Sequence, residues 1–144
     1  MTYPTIVQLS IAISLSLPIL GCSGEQTTAV PISGTVTVEG DPVEKGSITF
    51  ISVSGNVPSA GAVILDGRYT AKVEPGDKKI MVLGSKVIGQ EPEFEDDPNS
   101  SMRDVMKTTT HPNYNAKHLT PLATTIDKPT DDLNFVLTRD GKGD

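Results

Sequence analysis

The sequence predicts an all-β domain, a seven-stranded antiparallel β-sandwich of transthyretin-like type, and three observations carry that reading. Past residue 30, apolar and β-branched residues recur with period two in seven separate runs. Turn residues separate the runs at roughly ten-residue spacing, the rhythm of a sandwich. The 13 Gly and 11 Pro make about one residue in six, against a usual ~12%, which fits many short strands joined by tight turns.

Residues 32–38 place β-branched side chains on both faces of a first strand. Gly40-Asp41-Pro42 makes a turn, Pro fixing φ and Gly free to take positive φ. In 46–53, Ile48, Phe50 and Ser52 share one face, and a loop at 54–58 leads to a weaker strand at 60–64. Asp66-Gly67 is the strongest short hairpin signal in the chain, because both residues tolerate the positive φ of a type I′ turn. It returns the chain into 68–73, with Tyr69, Ala71 and Val73 on one face. Glu74-Pro75-Gly76 then turns into 78–83, which is apolar on both faces and so expected at the centre of a sheet. Strand character resumes at 120–126 and 133–137.

Between 84 and 116 the alternation lapses, predicting one irregular insertion. Five carboxylates fall in seven residues there, Glu91, Glu93, Glu95, Asp96 and Asp97. Ser101-Met102-Arg103-Asp104 fits a capping box, and Met102, Val105 and Met106 have one-face helical spacing, so a short helix is expected inside the insertion. The domain is expected over 31–138, with a polar tail at 139–144. No internal repeat or long linker divides it.

The first 21 residues carry no charge, so all 18 acidic and 12 basic side chains lie in 22–144. Residues 6–20 are apolar but shorter than the ~20 that span a bilayer. Ile19-Leu20-Gly21-Cys22, followed by Ser23-Gly24-Glu25-Gln26, resembles a lipobox. The small Gly21 gives a peptidase access to the bond, and Cys22 supplies the thiol that carries diacylglycerol. The expectation is a signal peptide at 1–21, lipidation at Cys22 and a tether at 22–30. The protein would then sit in the cell envelope, lipid-anchored to the outer membrane or to the outer face of the inner membrane. Cys22 is the one cysteine, so no internal disulfide can form.

The pattern Ile32-x-Gly34-x-Val36-x-Val38-x-Gly40-x-Pro42-Val43 is followed by Gly46-x-Ile48-x-Phe50 and Asp66-Gly67-Arg68-Tyr69, then by Val73-x-Pro75-Gly76. This succession resembles the carboxypeptidase regulatory-like domain, a transthyretin-like β-sandwich. Small bacterial lipoproteins built from one such domain are the nearest likeness, with Pro112-Asn113-Tyr114-Asn115 and Phe135-Val136-Leu137 similar to their late segments. The resemblance covers about 30–137 and rests on turn and core residues. It implies a fold, and an accessory rather than catalytic role.

No catalytic constellation stands against that reading. His111 and His118 are the only histidines, and a metal site would need further ligands such as Asp104. The 91–97 run lacks the alternating Asp/Asn and Gly of a calcium loop. There is no Gly-x-Ser-x-Gly. The net charge of −6 argues against nucleic acid and against a polybasic membrane-docking face. With no Trp, and with Phe50, Tyr69 and Phe135 in strand patterns, stacking surface for sugars is scarce. The expectation is a non-enzymatic binding or structural module without cofactor or metal, touching the membrane through lipid at Cys22 and another envelope protein through the 84–116 insertion. The alternative is a lipoprotein that binds a small ligand or carbohydrate. Detergent-phase partition should hold the wild type and release Cys22→Ser, and an unmodified Cys22 in exported protein would rule out the anchor.

Overall fold

The computed structural model describes residues 28–143; the expected signal peptide at 1–21, Cys22 and most of the expected 22–30 tether lie outside them. The chain forms β1 (Val30–Val38), β2 (Asp41–Pro42), β3 (Lys45–Ser52), β4 (Ala60–Leu65), β5 (Arg68–Val73), β6 (Gly76–Pro92), β7 (Met102–Thr108), β8 (Ala123–Ile126) and β9 (Phe135–Leu137). Its one helical element among the described residues is a 3-10 turn, Pro112–Asn115. The sheet order is β2-β1-β5-β4-β3-β6-β7, with β8 added to β6 and β9 to β1. Every pairing is antiparallel except β1 with β9.

This curled antiparallel sheet turns one face inward. Alternate residues of its strands, among them Ile32, Ile48, Ile64, Ile80 and Val82, are buried in a single cluster. The rings of Phe50, Tyr69 and Phe135 meet inside it at centroid separations of 5.9, 6.3 and 6.4 Å. The Tyr69 hydroxyl donates to the Leu133 carbonyl at 2.6 Å, which satisfies its polar tip, and burial pushes its phenol pKa well up. Lys78 shares the inward face of β6 with Ile80 and Val82; it is buried, and its Nζ has no hydrogen-bond partner among the described residues. A polar head buried without a partner lowers stability.

Two tight turns have the expected chemistry. Asp66 and Gly67 take φ of 49° and 74° and join Leu65 to Arg68 as a two-residue hairpin. Glu39 and Gly40, at 51° and 93°, make a second one. That turn lies one residue earlier than the sequence predicts, because Asp41 and Pro42 pair back on Val38 and Thr37 as β2. Gly34 serves a different need. A Cβ there would run into the Leu133 backbone carbonyl, where the segment leading to β9 crosses β1.

The 84–116 region departs from its expected form. Residues 102–108 are a strand, not a helix, and much of the insertion is regular. β6 runs unbroken for 17 residues to Pro92, and β7 pairs with it from Ser85↔Thr108 to Pro92↔Met102. The capping box at Ser101 is a local preference, and a neighbouring strand with open hydrogen-bonding groups outcompetes it. The 3-10 turn forms at Pro112 instead, where Pro at the first position loses no hydrogen bond. Residues 138–143 are also docked rather than trailing. The buried Tyr114 hydroxyl accepts the Thr138 and Gly143 N–H groups, each at 2.9 Å, and Asn113 Nδ2 donates to the Gly141 carbonyl at 3.1 Å. Hydrogen bonds from the Thr138 hydroxyl and from Lys142 lower the Asp140 carboxyl to about 2.

Gly67→Val should lower the unfolding free energy by at least about 1–2 kcal/mol, measured by urea denaturation. The left-handed φ disfavours a β-branched residue, and the new Cβ would also meet Pro42 Cβ at 2.7 Å. An unchanged midpoint would show that the turn tolerates the side chain.

Candidate functional site: the β6–β7 arm

β6 has two lives. From Lys78 to Val82 its alternate residues are buried between β3 and β8. Past Gly84 its partner is β7, and the pair leaves the body as a two-stranded arm. From Lys86 to Thr108 every residue is exposed except the half-buried Ser100 and Val105. Each strand pairs one row of its backbone groups with the other and turns the second row to solvent, so the arm rests on one ladder without a core of its own.

Cross-strand pairing sorts the side chains into two faces. Val87 and Met106, Gln90 and Asp104, and Pro92 and Met102 share one face; Lys86 and Lys107, Gly89 and Val105, and Glu91 and Arg103 share the other. A bulge between Val87 and Gly89 takes Ile88 out of register, which bends the arm and re-aims its tip. Ion pairs brace it: Arg103 with Glu91, and Lys45 with Asp104 at 3.7 Å. Exposed pairs of this kind are worth only about 0–1 kcal/mol each, so they tune the arm rather than hold it.

The arm shows solvent more apolar surface than charge repulsion alone would predict. Ile88 and Met102 are each 56% exposed and Phe94 is 64% exposed, with Val87 and Met106 also accessible. The first face continues onto the outer face of the body, where Leu83 lies in one row with Ser47 and Val63, and both apolar ends of that row are exposed. Methionine adapts its shape to whatever covers it. The acidic run forms the tip: Phe94 N–H donates to the Ser100 hydroxyl at 2.7 Å, and Asp97 Oδ1 accepts the Asn99 N–H at 2.9 Å. Of its five carboxylates, Glu91 is engaged by Arg103.

A groove of about 630 Å³ lies at the base of the arm, between Lys86 and Lys107 on one side and Asp41 and Glu44 on the other. Arg139 at its rim is held by Glu39 at 3.2 Å. Neither lysine has an ion-pair partner among the described residues, and the two sit directly opposite each other. The groove thus carries charge on both walls, and Val38, Pro42 and Val43 line it as well.

The histidines are not brought into one ligand set. His111 Nδ1 accepts the Asn113 N–H at 3.2 Å as the cap of the 3-10 turn, while His118 is exposed in the turn that follows. Tyr114 between them is buried and committed to the tail. Among the described residues no group of three or more His, Cys, Asp or Glu side chains is placed to hold a metal ion. Sequence reasoning located the arm as a region but missed its two faces and the opposed lysines, because those follow from register, which leaves no signal in one strand alone. The chain matches no protein-family model, no curated protein and no solved structure.

Like charges directly opposite on a two-stranded ribbon repel. Lys107→Glu should therefore raise the unfolding free energy by about 0.2–1 kcal/mol at low salt, and the gain should shrink as salt screens the pair. Equal stability of the two proteins at every ionic strength would show that the lysines do not feel each other.

Proposed function

We propose that this protein is a non-enzymatic lipoprotein of the cell envelope, held to a membrane through lipid on Cys22, that engages another envelope protein through its arm. The observation that carries the reading is the arm itself, a preformed β-ribbon that exposes Val87, Ile88, Phe94, Met102 and Met106 together. Covering a fully exposed side chain of this size is worth about 1.5–3 kcal/mol. Five half-exposed ones offer roughly 5 kcal/mol, about the size of the association cost itself, so the contact is weak on its own. Tethering suits such a contact, because confinement to one surface raises the effective concentration of both partners.

We assign the body to the carboxypeptidase regulatory-like class of transthyretin-like sandwiches. With the two-residue β2 and the arm strand β7 set apart, seven strands remain, at the seven runs of alternation in the sequence. The buried Phe50, Tyr69 and Phe135 and the Asp66-Gly67 hairpin support that assignment. They are scaffold features, consistent with an accessory role in which recognition is left to the inserted ribbon. A second reading, a receptor for a small charged ligand, is favoured by the groove under the arm, whose volume is in the range of ligand sites.

Deleting 89–99 removes the outer part of the arm, whose residues are exposed or half-buried, so it should leave the body folded and should abolish capture of envelope partners by the full-length anchored protein. Met102→Ser with Met106→Ser should weaken capture without the deletion. Retention of every partner after the deletion would sink the arm as the recognition surface, and a partner lost only with Lys86→Ala and Lys107→Ala would move recognition to the groove.

A further inference from the structure

The curled sheet does not close on itself. Besides the ends of its main path, β2 and β7, it has two branch strands, β8, bonded only to β6, and β9, bonded only to β1. Residues of both line one cleft of about 310 Å³, with Leu122 and Thr124 on one wall and Leu133, Phe135 and Val136 on the other. Main-chain alternation decides which groups face it. Ile80 N–H donates to the Leu122 carbonyl at 3.0 Å, so Leu122, Thr124 and Ile126 bond toward β6, and Ala123 and Thr125 turn their N–H and C=O away from it, Ala123 into the cleft and Thr125 along the same edge just beyond it. Opposite, Leu133 N–H donates to Ser33 at 3.0 Å and the Leu137 carbonyl accepts from Glu39 at 2.8 Å. Phe135 therefore bonds toward β1, and Val136 faces the cleft.

None of Ala123, Thr125 and Val136 has a backbone partner on that side among the described residues. Two residues further along the same edge, the Thr138 N–H is taken by the Tyr114 hydroxyl at 2.9 Å. The tail then reaches Pro121, where Gly143 lies against the proline ring, and closes that end of the cleft. The free edge is satisfied where Tyr114 reaches it and left open where the cleft lies.

We propose that this cleft is a strand-addition site, which takes an extended segment of another polypeptide between β8 and β9. Two facing rows of alternating donors and acceptors match a peptide backbone, a repeat that a sugar or lipid lacks. Five antiparallel steps lead from β1 round to β8, and β9 is parallel to β1, so the guest runs parallel to one wall and antiparallel to the other. Its inward side chains meet Leu122, Leu133 and Phe135 and are apolar there; Thr124, Asn134 and Lys142 also line the cleft and suit polar alternate ones. The β8 and β9 edges carry Ala123, Thr125 and Val136, with Lys142 of the tail as the one charge lining the cleft, whereas the free edge of β7 carries Arg103, Asp104 and Lys107, charges of the kind that stop an edge from pairing. A second copy is a poor source of the guest. Every strand among the described residues already has one edge paired, so none can enter with both edges free.

The test uses the full-length protein in detergent micelles. In the free protein the Ala123, Thr125 and Val136 amides should exchange with solvent about tenfold or more faster than those of Thr124 and Phe135, their neighbours bonded into the sheet. Random dodecapeptides selected on the protein by phage display, then synthesised, supply the probe. They should alternate apolar and polar residues, slow the three amides by about tenfold or more, and bind the variant lacking 89–99 as well as the wild type, which separates this site from the arm. Val136→Pro removes one N–H that faces the cleft and spares the β1 ladder, so affinity should fall about tenfold. Thr125→Pro removes one from the β8 edge should Val136→Pro fail to fold. Protection of the three amides in the free protein, protection that grows with protein concentration alone, failure to enrich any peptide, or peptides indifferent to both proline variants would each overturn the proposal.

Discussion

The backbone hydrogen bonding of β6 is the constraint on which the rest of the structure depends. A 17-residue strand presents two rows of donors and acceptors, and each row must find partners or water. One row is met by β3 along Lys78–Ser85; the other is divided between β8 at Gly76–Lys79 and β7 from Ser85 onward. Each consequence follows from that division. β8 is drawn onto the body, β7 is drawn off it, and the 3-10 turn that connects them carries Tyr114 into the core.

Body and arm are therefore stabilised by different physics. In the body, inward alternation builds an apolar cluster around three aromatic rings, and the burial of large side chains dominates. In the arm there is nothing to bury against, and the ribbon rests on its ladder, one bulge and exposed ion pairs. An element of that kind opens at lower free energy than the body that carries it. Its shape can therefore vary while the packed body stays fixed.

The C-terminal segment links the two branches of the sheet. Tyr114 sits on the connection after the arm, and its hydroxyl collects main-chain donors from Thr138 and Gly143. The hydroxyl is also within 3.0 Å of the Thr138 side chain. One buried phenol thereby ties the last strand to the segment that follows β7 and leaves the β8 and β9 edges apart along the rest of their length. The same sheet thus presents one charged edge, on the arm, and two uncharged ones, in the cleft.

Much of the body was legible in the sequence because its signals are local. Period-two alternation needs only the strand itself, and Asp66-Gly67 specifies its hairpin through the φ that its own residues tolerate. Burial of Phe50, Tyr69 and Phe135 follows from the same alternation. The region of the arm was legible only as a lapse in pattern. Whether Met102 to Thr108 forms helix or strand depends on β6 offering a pairing row, and the local capping box points the other way. The reason for Gly34 lies in Leu133, 99 positions further along. Registers such as Lys86↔Lys107, the anchoring of 138–143 on Tyr114 and the open edges at Ala123, Thr125 and Val136 are likewise decided by partners remote in the chain. Local conformational preference is written residue by residue; the choice of which strand meets which, and in what register, is settled only when the whole core packs.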